Sequence, residues 1–285
     1  MNTRQAISLI SNRLKSHNIE YPQDEARILV CYTTGSSTAQ LFADPERALT
    51  TSQQEMLEYL AARRIGHEPS SYITGNKEFF GLNFYVNKNV LIPRPETEIL
   101  VEQAISSAKH MLAMNPNMKI RIADIGTGCG AIAISLAKNL DAEIYAVDLS
   151  FKALEVASLN CDRHSVSDRV HFLLGNLLQP LTSPLDIVVA NLPYVTGKEM
   201  KTLSPEILRF EPLQALDGGE DGTEIIEELL RTCKPHLSSR ARIVLEFGCT
   251  QKERISNLIA RYLPDSSFSF FRDLSGLDRA VSIFV

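Results

Sequence analysis

From about residue 119 onward, short apolar runs alternate with amphipathic stretches, and this alternation leaves few architectures open. Ile120–Ile125 reads as a strand, followed by the glycine-rich turn Gly126-Thr127-Gly128-Cys129-Gly130 and a helix opening at Ala131–Ala137. A second strand, Ile144–Val147, ends at Asp148, and Ser150 caps the next helix. Val170–Leu174, Leu185–Ala190 and Ile243–Glu246 are three more strands. One helix falls at about 222–234, and Thr250 and Glu253 cap another that stops near Pro264. Apolar, β-branched strands joined by helices build parallel βαβ units with both sheet faces covered. The last two runs, Ser267–Arg272 and Ala280–Val285, are joined only by Asp273–Arg279. A parallel crossover needs roughly a dozen residues or more, so this closing pair is antiparallel. The expected fold is α/β, a Rossmann-like mixed seven-stranded sheet.

Before it, residues 1–70 read as a helical bundle. Thr3 caps a helix with Ile7, Ile10 and Leu14 on one stripe. Pro22 opens a second helix and Gly35 ends it. Ser52 and Glu55 form a capping box for a third. Residues 71–92, with Gly81 among Phe79, Phe80, Leu82, Phe84 and Tyr85, read as a β-hairpin linker. Residues 93–285 then form the α/β domain. No run approaches the ~20 apolar residues of a membrane span, and no signal-peptide pattern opens the chain. The formal charge of −5 offers no basic field for nucleic acid. The five cysteines show no metal-type spacing and read as reduced thiols of a cytoplasmic protein. A monomer with no metal, no membrane and no direct nucleic-acid partner is expected.

The glycine turn and Asp148 suit a nucleoside. Asp148, at the end of the second strand, is placed to accept ribose hydroxyls. Two cofactor classes fit that arrangement. A dinucleotide calls for G-x-G-x-x-G, whereas the spacing here is G-x-G-x-G with Ala131 at the third glycine position. Asp124, just before the turn, would repel a pyrophosphate but can help orient an ammonium group. Together with the antiparallel final hairpin, these features resemble the class I S-adenosylmethionine-dependent methyltransferases. The resemblance implies that residues 93–285 are the catalytic domain, with S-adenosylmethionine as cofactor and S-adenosylhomocysteine as product. The implied contacts are Asp124, Gly126, Thr127, Gly128, Cys129, Gly130, Asp148, Asn176, Leu177 and Asn191.

The fourth strand runs into Asn191-Leu192-Pro193-Tyr194. A segment just past a parallel strand faces the crevice of such a sheet. It offers an amide, backbone carbonyls beside a stiff proline, and an aromatic face, which suit a flat nitrogen group. The tetrapeptide resembles the (Asn/Asp/Ser)-Pro-Pro-(Tyr/Phe) signature of methyltransferases acting on planar nitrogens, with Leu192 as a departure. Asn-Leu-Pro-Tyr is also similar to the motif of ribosomal RNA adenine dimethyltransferases, but those carry their helical domain last.

Further stretches favour a protein substrate. Leu91–Glu98 with its Pro-Arg-Pro-Glu-Thr-Glu run, Asp124–Gly130, Asn191–Tyr194, Glu211-Pro212 followed by Ala215–Gly222, and Arg272–Arg279 resemble the HemK-type release factor glutamine methyltransferases along nearly the whole chain. A sister family acting on a ribosomal-protein glutamine is similar overall and differs at the Pro-Arg-Pro-Glu-Thr-Glu run. The resemblance implies that the acceptor is the glutamine of the Gly-Gly-Gln motif of peptide chain release factors, and that the N-terminal helices contact that protein. Asn191, Pro193 and Tyr194 are the implied catalytic residues, and Asn191, Leu192, Pro193, Tyr194, Arg94 and Glu96 the substrate-binding ones. Asn176 stands where the family more often has an aspartate for the adenine amine; its carbonyl oxygen can still accept. A non-catalytic module with the same fold is a third reading, disfavoured by the presence of both Asp148 and Asn191.

Overall fold

The computed structural model describes residues 1–285. The chain forms two compact units, one of Met1–Asn76 with Ser204–Phe210 and the other of Lys77–Leu203 with Glu211–Val285.

The first unit is helical: α1 (Thr3–Ser16), α2 (Pro22–Thr34), α3 (Thr38–Ala43), α4 (Thr51–Ile65) and α5 (Ser70–Thr74). Ala6, Ile10 and Leu14 of α1, Leu29 and Val30 of α2 and Leu57, Leu60 and Ala61 of α4 bury one another in its core. Two helix starts differ from the sequence reading. Asn2, not Thr3, caps α1 in a box with Gln5, and Thr3 is buried with its hydroxyl donated to the Pro45 carbonyl. The box at α4 is Thr50 with Gln53, not Ser52 with Glu55. The same S/T-x-x-E/Q pattern occurs in two overlapping registers there, and local sequence does not choose between them. Arg64 is 3% exposed and reaches both Glu25 and Glu206 at 2.6 Å. The two carboxylates offset the desolvation cost of burying the guanidinium.

The second unit begins with the hairpin β1 (Lys77–Phe79) and β2 (Leu82–Phe84), as the aromatic cluster around Gly81 implied. After α6 (Glu98–Met114) come β3 (Ile120–Ile125), α7 (Ala131–Asn139), β4 (Ala142–Asp148), α8 (Phe151–Arg163), β5 (Val170–Leu174) and β6 (Leu185–Ala190). Three more helices and strands follow: α9 (Pro205–Phe210), which belongs to the first unit, α10 (Glu224–Thr232), β7 (Leu237–Glu246), α11 (Lys252–Tyr262), β8 (Ser267–Arg272) and β9 (Asp278–Phe284). The sheet order is β5-β4-β3-β6-β7-β9-β8, with the first five strands parallel and the last two antiparallel. The mixed seven-stranded sheet is therefore as expected. β7 starts earlier than Ile243, and α11 starts after Gln251 without the Thr250–Glu253 cap. No helix is long and apolar enough to cross a membrane.

The strand order reverses between β3 and β6. In an open α/β sheet, ligands bind outside the carboxyl ends of the strands at such a reversal. Here those ends carry the glycine turn (β3), Asp148 (β4), Asn191 (β6) and Glu246 (β7). β6 is buried along its whole length, so the polar residue that follows it emerges directly at the crevice.

Candidate active site

A cavity of about 500 Å³ opens at this reversal. Gly126, Gly128, Asp148, Asn176, Leu177, Asn191, Leu192 and Pro193 line it, so the structure brings together residues far apart in sequence. Thr127, Cys129, Gly130, Asp124, Tyr194, Arg94 and Glu96 stand outside the lining.

The glycine turn is closed on itself. The Gly126 and Thr127 N–H groups donate to the Val147 carbonyl, and the Gly130 N–H donates to the Thr127 carbonyl. The Gly128 N–H donates to Asp148 Oδ2 at 2.9 Å. A pyrophosphate site needs such amides free and aimed at the ligand. These are spent, which is a structural reason against a dinucleotide, independent of charge. At Gly130 φ is +82°, and a Cβ would lie 2.9 Å from Ile134 Cδ1, so only glycine fits. Cys129 is buried, and its thiol is pushed up to about 12 by desolvation; it is an inert packing group.

Asp124 sits under the turn with 0% exposure, and does not reach the cavity. Its Oδ2 accepts from the Thr127 hydroxyl at 2.7 Å and the Ala133 N–H at 3.1 Å, while Oδ1 has no partner. It pins the turn to the start of α7. Desolvation pushes its carboxyl up to about 7, against those two hydrogen bonds. An acid whose folded-state value is raised favours folding fully only below its unfolded value near 4, and that contribution is lost as pH rises through about 7. A shift of this size corresponds to roughly 4 kcal/mol. Asp124→Asn, which cannot ionise, is therefore expected to gain stability relative to wild type between about pH 4 and 7. Denaturant unfolding of both proteins across that range checks this; a pH-independent difference would show that Asp124 stays in one state.

Asp148 ends β4 at the cavity wall. Its oxygens accept from the Ser150 and Gly128 N–H groups, at 2.8 and 2.9 Å. Each carboxylate oxygen keeps a second lone pair for a ligand hydroxyl. Partial burial still raises its carboxyl above the ordinary range. Asn176 donates from Nδ2 toward Glu228 Oε1 at 3.5 Å, which turns its carbonyl oxygen the other way, to serve as acceptor. Leu177 holds φ +48°, unusual for leucine, as strained backbone at binding sites often is.

The tetrapeptide is held from behind. The Val195 N–H donates to the Leu216 carbonyl and the Gly218 N–H to the Val195 carbonyl. A Cβ on Gly218 would come within 2.7 Å of Tyr194 Cα. Gln251 Nε2 donates to the Tyr194 and Gly222 carbonyls, at 2.8 and 3.2 Å, while its Oε1 accepts from the Gly248 N–H. Leu192 is 5% exposed and belongs to the core cluster of this unit, so it offsets the rigidity of an absent proline with buried apolar contact.

Asn191 donates from Nδ2 to Thr97 Oγ1 at 3.0 Å. The Thr97 hydroxyl donates to Glu246 Oε2 at 2.7 Å, and the Tyr194 hydroxyl to Glu246 Oε1 at 3.0 Å. Desolvation raises both the Glu246 carboxyl and the Tyr194 phenol, and the Arg279 charge opposes each shift. Asp273 accepts from the Ser275 and Leu277 N–H groups and from Arg279 Nε, which explains the Arg272–Arg279 stretch as a closed turn that fixes Arg279. Arg94 does not enter the cavity: its guanidinium meets Glu211 Oε1 at 2.6 Å, and Glu211 Oε2 also accepts from the Ile92 N–H. Glu96 is exposed. Glu98 accepts from the Phe80 N–H, tying the hairpin to α6. The sequence reading overlooked Glu228 and Gln251 and saw Glu246 only as a strand end, while Thr97, Glu211 and Arg279 stood within its motif stretches without an assigned role. A signal was present for Glu246, a charged residue closing an apolar parallel strand, the same position in the pattern as Asp148.

Comparison with known proteins agrees with this layout. Residues 5–75 match the PrmC N-terminal domain and residues 102–220 the methyltransferase small domain. Among solved structures, the hMettl16 catalytic domain in complex with a 3′UTR hairpin superposes with a TM-score of 0.55 at 18% identity, covering 71% of this chain and 75% of that one. The likeness is one of fold. The bifunctional methyltransferase of Rickettsia typhi is 32% identical over 98% of this chain, which spans 57% of that protein's length. The release factor glutamine methyltransferase of Nitratidesulfovibrio vulgaris is 36% identical, covering 94% of this chain and 90% of the relative, and that of Thermodesulfovibrio yellowstonii is 35% identical, covering 90% of each. At this identity over nearly the full length of both proteins, the chain belongs to the release factor glutamine methyltransferase family.

Proposed function

We propose that this protein transfers a methyl group from S-adenosylmethionine to the side-chain amide nitrogen of the glutamine in the Gly-Gly-Gln motif of peptide chain release factors. The observation that carries the reading is that Asn191 lines the same cavity as Asp148, with its Nδ2 engaged by Thr97 and no hydrogen bond within the protein on its Oδ1.

The residues present fit the cofactor. Asp148 retains lone pairs for two ribose hydroxyls, Asn176 turns a carbonyl toward an adenine amine, and Leu149, Leu177 and Leu213 give the wall apolar surface for a flat base. The closed glycine turn suits a ligand without phosphates. When bound, S-adenosylmethionine supplies a sulfonium methyl that already carries its leaving group.

The harder requirement falls on the acceptor. An amide nitrogen shares its lone pair with its carbonyl and is a poor nucleophile. Asn191 Oδ1 and the Leu192 carbonyl would accept its two N–H bonds and so hold the acceptor nitrogen in a fixed orientation for methyl transfer. Both acceptors also face the positive charge that develops on nitrogen. Pro193 limits the loop's freedom, and Tyr194, outside the cavity lining, anchors the loop through its hydroxyl on Glu246. No dedicated base is assigned, since the methylated nitrogen readily gives its proton to water.

Incubation with methyl-labelled S-adenosylmethionine and purified release factor, followed by peptide mapping, is expected to place one label on the Gly-Gly-Gln glutamine. Label on ribosomal RNA or on a ribosomal protein, with none on release factor, would overturn this reading.

A further inference from the structure

We propose that Glu246 and Thr97 are positioning residues that set the direction of the Asn191 side chain, holding its carbonyl oxygen toward the acceptor nitrogen and its NH₂ away from it. This rests on the function proposed above for its purpose, though not for its geometry.

The argument is one of hydrogen-bond direction. An asparagine amide presents a donor end and an acceptor end of nearly equal shape, and packing alone hardly tells them apart. In this site the difference decides function, because an NH₂ group facing a substrate NH₂ offers it no acceptor. The hydroxyl of Thr97 has one proton. It donates that proton to Glu246 Oε2 at 2.7 Å, so toward Asn191 it can only accept. Asn191, a residue of the cavity lining, must then present Nδ2 to Thr97, at 3.0 Å, which leaves Oδ1 as its free end. The chain is anchored by a group that has no proton to give: an ionised carboxylate accepts only. Its other oxygen is occupied by the Tyr194 hydroxyl at 3.0 Å, so one buried carboxylate fixes two members of the tetrapeptide together. Glu246 is 1% exposed and Thr97 5%, which removes water as a competing partner.

Burial pushes the Glu246 carboxyl up, and the charge of Glu96 adds to that push; the Thr97 and Tyr194 hydroxyls that donate to it and the charge of Arg279 favour its ionised form. Arg279 is in turn held by Asp273 at 3.3 Å. Thr97 and the turn Asp273–Arg279, far from each other in sequence and outside the cavity lining, thus both act on Glu246 at the carboxyl end of β7.

Thr97→Val keeps the shape and removes the hydroxyl, Thr97→Ser keeps the hydroxyl, and Glu246→Gln supplies a donor where none exists now. In ¹⁵N-labelled protein, with the Asn191 NH₂ signals identified by their loss in Asn191→Asp, wild type and Thr97→Ser are expected to show protected, non-averaged side-chain protons. Thr97→Val is expected to lose that protection. For methyl transfer to release factor, Thr97→Val and Glu246→Gln are expected to lower kcat roughly tenfold to a hundredfold, a smaller loss than removing a direct acceptor. Cofactor affinity should stay near wild type in Thr97→Val, and Thr97→Ser should restore kcat. The amide signals are read without turnover, so they judge the hydrogen-bond chain even if glutamine proves the wrong acceptor. Freely exchanging Asn191 protons in the wild-type protein would overturn the proposal, as would full kcat in Thr97→Val. A Thr97→Ser variant as slow as Thr97→Val would do the same, since it would trace the loss to packing.

Discussion

Asn191→Ala is expected to cut the single-turnover rate of methyl transfer by ~100- to 1,000-fold, or ~2.7–4 kcal/mol, with little change in cofactor affinity. The side chain lies in the cavity wall and, in the function proposed above, contributes one of two acceptors for the substrate N–H groups. Its hydrogen bond strengthens as positive charge grows on nitrogen, so the loss falls on the transition state rather than on ground-state binding. The truncation also leaves the Thr97 oxygen without its donor, while the Thr97 proton remains bonded to Glu246. That local change is small against the core formed by β3, β6 and β7, and the fold should persist. Rapid-quench measurement of labelled methyl on release factor, beside calorimetric titration of the cofactor, separates the two effects. A rate close to wild type in a folded Asn191→Ala protein would reduce the tetrapeptide to an ordinary loop and remove the chemical basis for amide methylation.

The second large effect is expected at Asp148. Asp148→Ala should weaken S-adenosylmethionine binding by ~1.5–3 kcal/mol, the contribution of hydrogen bonds to a charged group, or roughly 10- to 150-fold in Kd. The carboxylate has two duties. It receives the Gly128 and Ser150 amides, which shapes the glycine turn and the start of α8, and it offers its remaining lone pairs to the cavity. Alanine removes both. Asp148→Asn separates them in part, since one oxygen survives and the other acceptor becomes a donor; a smaller loss than for alanine is expected. The carboxylate is partly desolvated and its pKa already raised, so removing its charge relieves a cost and should not unfold the protein. Isothermal titration of the two variants decides the matter. An unchanged Kd for Asp148→Ala would take Asp148 out of the cofactor site.

Much of the sheet was readable from the chain alone, for a definite reason. β3, β5, β6 and β8 fall at the residues expected. The edge strands β5 and β8 were marked by their β-branched and aromatic residues between turn signals. For the central parallel strands β3 and β6 the cause is burial on both faces, which demands a nearly continuous apolar run that ends where the strand leaves the core. The same logic located Asp148 and Asn191, the first polar residues past such runs. Helix starts in the N-terminal unit were less legible. Capping depends on a few hydrogen bonds, and Thr50 and Ser52 each presented an acceptable pattern.

Within the site, sequence determined which groups stand at the strand ends: the glycine turn, two carboxylates, and an amide followed by proline and an aromatic ring. Strand periodicity and glycine spacing are local properties, written in consecutive residues. Tertiary structure decided what those groups do. It placed Asp124 beneath the turn instead of against the ligand, gave Arg94 to Glu211, and spent the turn's amides on Val147, Thr127 and Asp148. It also joined Asn191 to Thr97 and Glu246, residues 94 and 149 positions apart in their pairings. A hydrogen bond needs donor and acceptor within about 3 Å and correctly aimed, and contacts of that range between distant segments exist only once the sheet order has brought the strand ends side by side.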